Sequence, residues 1–135
     1  MKLPHEGVYV RLGLSAVHGI GVFAIRPIPA GTDIFVNDGV PLVWVSRAAL
    51  EAADLTPAER AFYHDFGISR GDRIGCPANF HNLTPGWYLN RPPPGAAANV
   101  ESTGAFAFLA RRDIAEGEEL TIDYAGFSDP ELPPP

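Results

Sequence analysis

The chain has 135 residues, a length that suits one domain with a single core. Ten Lys and Arg against sixteen Asp and Glu give a net charge of −6, with Lys2 the sole lysine; this argues against a nucleic-acid partner and suits a basic protein one, although such a charge also serves solubility. Cys76 is the sole cysteine, which excludes an internal disulfide and a Cys-built zinc site, and no apolar run is long enough for a signal peptide or a bilayer span, so the chain reads as soluble and intracellular.

Fourteen Gly and fourteen Pro favour a turn-rich β protein, because both weaken helix interiors and serve turns. Gly7–Arg11 and Gly19–Ala24 read as strands, followed by Ile34–Val36 and Val40–Val45 about an Asn37-Asp38-Gly39 turn. Ser46 can cap a short helix from Arg47 to Ala53. Thr56-Pro57-Ala58-Glu59 is a capping box with Pro at the first helical position, and its helix is expected to turn Ala61, Phe62 and Phe66 to the core. From Gly67 the chain returns to short β segments. Arg91-Pro92-Pro93-Pro94-Gly95 must be a loop, since three prolines cannot donate ladder hydrogen bonds. Ala105–Ala110 suits a buried strand, and Leu120–Tyr124 alternates as a half-buried one should. Residues 128–135 read as a loose Pro-rich tail beyond a single domain of residues 1–127.

One pattern recurs. Ala24-x-Arg26-x-Ile28-x-x-Gly31-x-x-Ile34 matches Ala110-x-Arg112-x-Ile114-x-x-Gly117-x-x-Leu120, with Phe23 and Leu109 extending the apolar agreement. Each copy reads as strand, glycine turn, strand, which predicts two matching hairpins in a β fold with internal two-fold symmetry.

Three segments then resemble the SET-domain family: His18-Gly19-Ile20-Gly21-Val22-Phe23-Ala24, Trp87-Tyr88-Leu89-Asn90, and Gly117-Glu118-Glu119-Leu120-Thr121-Ile122-Asp123-Tyr124. The third is specific, and the three stand in the family's order across about residues 8–127. The resemblance implies a mainly β fold, a SET-type β-clip of small sheets with one short helical insert and a threaded C-terminal segment. It further implies S-adenosylmethionine as cofactor, held by Gly19, Ile20, Gly21, Asn90 and Arg91, with Tyr124 as catalytic residue. Ile122 and Phe127 would border the substrate channel, and no metal is implied.

The residue types fit that chemistry. A lysine amine, protonated in water near pH 10 (reference pKa about 10.4), must be neutral to take a methyl group, and an apolar channel favours the neutral form. Glycine lets backbone approach a cofactor closely, and equally serves a tight hairpin. Asn90 offers a donor and acceptors, or a loop cap. Tyr124 can orient the amine through its hydroxyl, or simply pack in a strand. His5, His18, His64 and His81 have no metal-ligand spacing, and Cys76 and Trp87 suit the core.

The sequence also departs from the family. After Asn90 the family has His and then a short stretch to Pro-Asn; here Arg91 opens a longer loop that reaches Asn99. An arginine beside a sulfonium is unfavourable unless it points away or meets a carboxylate. Relatives often carry Phe or Tyr where Ile122 stands, and Cys-rich flanking segments are missing. The resemblance therefore implies a protein-lysine methyltransferase acting on a Lys-containing segment. The alternative is a catalytically silent SET-like module that binds a protein, and a weaker third reading is a β-clip ligand-binding domain. A homodimer stays open, as do a bacterial cytoplasm and a eukaryotic nucleus.

Overall fold

The computed structural model describes residues 1–36, 41–103 and 107–129. Its strands are β1 (Val10–Leu14), β2 (Ile20–Ala24), β3 (Leu42–Ser46), β4 (Ile68–Arg70), β5 (Arg73–Pro77), β6 (Val100–Ser102), β7 (Phe108–Ala110) and β8 (Glu119–Leu120). Helices α1 (Arg47–Ala52) and α2 (Pro57–Phe66) form the insert, and short 3-10 turns stand at Phe80–Asn82, Pro85–Tyr88 and Tyr124–Gly126. The fold is thus mainly small antiparallel sheets with few helices, as the resemblance implies. Among the described residues no helix is long and apolar enough to cross a membrane. The chain divides into two compact units, Met1–Gly39 with Thr84–Gly126 and Val40–Leu83 with Phe127–Pro135.

In the first unit β1, β2 and β8 form one antiparallel sheet, with Val10 opposite Ala24 and Val22 opposite Leu120. The first strand starts at Val10 rather than Gly7, because Gly7 lies in a turn at φ 79° and Val8 N–H bonds the His5 carbonyl. Val22 and Leu120 are both 0% exposed and lie at the centre of this core. The β6–β7 hairpin pairs Val100 with Ala110.

The two sequence repeats do not form separate hairpins; they interlock. Ala24 N–H bonds the Glu118 carbonyl at 3.0 Å, and its counterpart Ala110 N–H bonds the Thr32 carbonyl at 3.0 Å. Gly117 N–H reaches Ala24 O, and Gly31 N–H reaches Ala110 O, each at 2.8 Å. Ile28 and Ile114 exchange both backbone hydrogen bonds at 2.8 Å across the local two-fold, and each is 1% exposed. Gly31 and Gly117 take matching left-handed φ values of 85° and 83°, which a side chain would disfavour. The first arm of each copy therefore pairs with the return arm of the other. Ile34–Val36 is a turn and not a strand; among the described residues of this arm beyond Gly31, Asp33 alone forms a bridge, to Leu109.

Leu120, Thr121 and Ile122 are all buried, against the expected alternation. The segment is laid between two others: Thr121 bridges Asn90 and Ile122 bridges Val100, both in parallel. With chain on both sides, neither face is left to solvent.

In the second unit β5 lies between β3 and β4, with Trp44 opposite Gly75. A Cβ at Gly75 would come within 2.9 Å of the Trp44 ring, so glycine is what lets the indole lie across the strand. Ser46 caps α1 by accepting from Ala49 N–H, and Thr56 and Glu59 form the expected capping box on α2. Contrary to expectation, α2 buries none of its residues; Ala61 is exposed and Phe62 is 39% exposed. Phe62 instead stacks on Phe80 at 4.8 Å, and Tyr63 meets Phe80 edge-on at 5.0 Å. The tail begins tied down: Asp129 N–H bonds the Ser69 carbonyl at 2.7 Å, and Ser128 Oγ accepts from Ser69 N–H at 3.0 Å. The turn expected at residues 37–39, the start of the Ala105–Ala110 run and the tail from residue 130 lie outside the described residues.

Candidate functional site

Asn90 is the junction of the first unit. Its side-chain Nδ2 donates to the carbonyls of His18 (3.0 Å) and Ile20 (3.2 Å) and to Glu119 Oε2 (3.0 Å). Three acceptors around one atom fix it as the amide nitrogen, so the amide is oriented by its partners. Asn90 is 9% exposed, and its Oδ1 accepts no hydrogen bond among the described residues. Its main-chain carbonyl accepts from Ile122 N–H at 2.9 Å.

Glu119 carries the other half of this network. Its carboxylate accepts from Ser15 Oγ at 2.8 and 2.9 Å, and Ser15 Oγ in turn accepts from the N–H groups of Val17 (2.9 Å) and His18 (3.2 Å). Ser15 N–H closes the β1–β2 turn on the Gly19 carbonyl at 2.8 Å. A Cβ at Gly21 would strike the Glu119 carboxylate and approach Ser15 Cβ at 3.0 Å, so Gly21 makes room for this network. Gly19 is different: it sits at φ 49° with nothing within 4 Å of where a Cβ would stand. Ser15 and Glu119 were not singled out from the sequence. Glu119 stands inside the specific Gly-Glu-Glu-Leu motif, which was the available signal; Ser15 left none.

Asn99 is the second buried amide, 2% exposed. Its Oδ1 accepts from Thr121 N–H at 2.8 Å, and its Nδ2 donates to the Glu119 carbonyl at 2.9 Å. Asn90 and Asn99 thus hold the 119–122 segment from its two sides. Next to it, Arg112 pairs with Glu118, whose carboxyl is pulled down to about 2 by that guanidinium, with help from Ala115 N–H and Asn99 and against partial burial.

Tyr124 opens the 3-10 turn that follows this segment, and its hydroxyl donates to the Leu89 carbonyl. The guanidinium of Arg91 lies over its ring, 4.8 Å from the centroid. The tripeptide Leu89-Asn90-Arg91 therefore touches Tyr124 through its first and third residues, and the 18–20 turn through its second. Beyond it the loop from Arg91 to Ala97 is largely exposed and walls a cleft of about 410 Å³, which Arg111 and Asp123 also line. Gly19, Ile20, Gly21, Asn90, Arg91 and Tyr124 are thus brought into one connected network. Ile122 is 1% exposed beside it, and Phe127 belongs to the second unit, where its carbonyl accepts from Arg70 Nε at 3.3 Å.

Comparison with known proteins identifies the class: the SET-domain family matches residues 19–125, and the chain belongs to it. Among solved structures it is similar to the methyltransferase domain of human PR domain-containing protein 2. That likeness has 25% identity, covers 96% of this chain and 84% of the other, and has a TM-score of 0.54. It is also similar to a Plasmodium falciparum protein described as a histone methyltransferase, at 18% identity, 85% and 91% coverage and a TM-score of 0.49. No curated protein matches the sequence. The fold and family are those of protein methyltransferases.

Proposed function

We propose that the chain is an S-adenosylmethionine-dependent protein-lysine methyltransferase, acting on a Lys-containing basic segment of another protein. The observation that carries this reading is the Leu89–Arg91 tripeptide, which ties Tyr124 to the Gly19–Gly21 turn within one hydrogen-bonded network. The residues present fit the cofactor. Asn90 Oδ1 is an oriented acceptor without a described partner, suited to an ammonium or hydroxyl donor. Gly19 offers backbone with open space around it, and of the residues assigned to the cofactor Arg91 also lines the cleft walled by the loop that follows it.

When bound, S-adenosylmethionine supplies a methyl group on a sulfonium that becomes a neutral thioether as the carbon passes to the amine. What the chain contributes is alignment. Asn90 and the 18–21 backbone hold the donor side, Tyr124 orients the amine, and water is kept from between them. The charge of −6 attracts a basic substrate.

A second reading, a silent module that binds protein without cofactor, is favoured by Arg91, a cation where the family has histidine. Calorimetric titration with S-adenosylmethionine separates the two. The methyltransferase reading expects micromolar binding that Asn90→Ala weakens; no heat of binding in the parent protein sinks it and leaves the silent module.

A further inference from the structure

Arg91 departs from its family, and its surroundings give that departure a consequence. Its guanidinium rests on the face of Tyr124, whose hydroxyl end is fixed on the Leu89 carbonyl. The charge is therefore parked on the ring that the proposed function places at the point of methyl transfer. Among the described residues Arg91 forms no ion pair. The other charged residues lining the cleft are Arg111 and Asp123. Arg111 adds to the positive side while donating to the Ala98 carbonyl at 3.4 Å; Asp123, whose Oδ1 accepts from Ala125 N–H at 3.0 Å, keeps its negative charge, and two arginines against one carboxylate leave the cleft lining net positive. Glu119 hydrogen-bonds Ser15 and Asn90 and not Arg91.

A fixed cation raises the free energy of any second cation near it. Two cations are at stake in lysine methylation, the sulfonium and the protonated amine. We infer that Arg91 is an electrostatic selector at the transfer centre, which makes the pocket prefer the neutral thioether product over the sulfonium donor and admit lysine as the neutral amine. This rests on the methyltransferase reading. It gives Arg91 a positioning role through Tyr124 and assigns it a measurable bias. The bias favours deprotonation of the incoming lysine and disfavours donor binding.

The test needs no substrate. S-adenosylmethionine and S-adenosylhomocysteine differ at the reacting centre by the methyl group and its charge. Calorimetry gives the Kd of each for the parent protein, Arg91→Gln and Arg91→Lys, with melting curves to establish that each variant is folded. The inference expects the ratio of the sulfonium Kd to the thioether Kd to fall about three- to tenfold in Arg91→Gln, the range an exposed, water-screened charge can exert. Arg91→Lys, which keeps the charge, should retain most of the parent ratio. A merely structural arginine would change both Kd values together. Should Arg91→Gln fail to fold, Arg91→Met, which keeps an unbranched apolar stem and removes the charge, carries the test with the same expected fall in the ratio. Binding of both compounds with a ratio indifferent to removal of the Arg91 charge overturns the inference alone. Absence of binding by either compound overturns the methyltransferase reading, and the inference with it.

Discussion

Tyr124, Asn90 and Glu118 each act through a specific donor or acceptor, so each can be probed by removing one. Tyr124→Phe keeps the ring under Arg91 and takes away the donor to the Leu89 carbonyl. Its folding cost should be modest, on the order of 1 kcal/mol. If the proposed role holds, turnover should fall roughly a hundredfold or more, since the hydroxyl acts where charge moves; a melting curve beside a methylation assay separates the two effects. Asn90→Ala removes one amide from three acceptors and should destabilise the protein by about 1–3 kcal/mol, measured by urea unfolding. Glu118 gives a pH signature. Its folded-state pKa is depressed to about 2 by Arg112, so its stabilisation is present above the ordinary carboxyl range and is lost as pH falls from about 4.5 toward 2. With Arg112 more than half exposed the effect is on the order of 1 kcal/mol, and Glu118→Gln should flatten the melting-temperature profile across that window.

At the scale of elements, local chemistry was legible and two-sided burial was not. The capping box at Thr56 could be read directly because every bond in it is local, and Thr56→Ala should cost about 1 kcal/mol of stability. A melting curve checks it, and no change would mean that the second unit is indifferent to the start of α2. Leu120–Ile122 misled because alternation assumes one wet face, whereas this segment is bridged by Asn90 and Val100. Phe62 misled because helical spacing identifies an apolar face without saying whether a core or another ring covers it. In the site, the ordered motifs pointed to Gly19, Asn90 and Tyr124. The Ser15–Glu119 support was hidden, since it joins residues 104 positions apart by side chain alone.

The whole first unit is organised by its repeat. The match of residues 24–34 to 110–120 was visible in the sequence, but the exchange of arms was not, because a repeat fixes likeness and not partner. The interlock predicts that Ile28→Ala and Ile114→Ala each destabilise by about 2–5 kcal/mol. Since the two residues share one contact, the double variant should depart from additivity by 0.5 kcal/mol or more, in the range of about 0.5–3 kcal/mol found for touching residues. Simple additivity would mean that the two arms are independent. The same interlock presents Gly19, Asn90 and Tyr124 together, and their joint chemistry is the centre of the account. The most direct test is transfer of labelled methyl from S-adenosylmethionine into a Lys-rich protein mixture, by the parent protein and by folded Tyr124→Phe. The account predicts label on lysine with the parent and roughly a hundredfold less with the variant. A parent that binds the cofactor yet labels no lysine, or a variant that labels at the parent's rate, would contradict it.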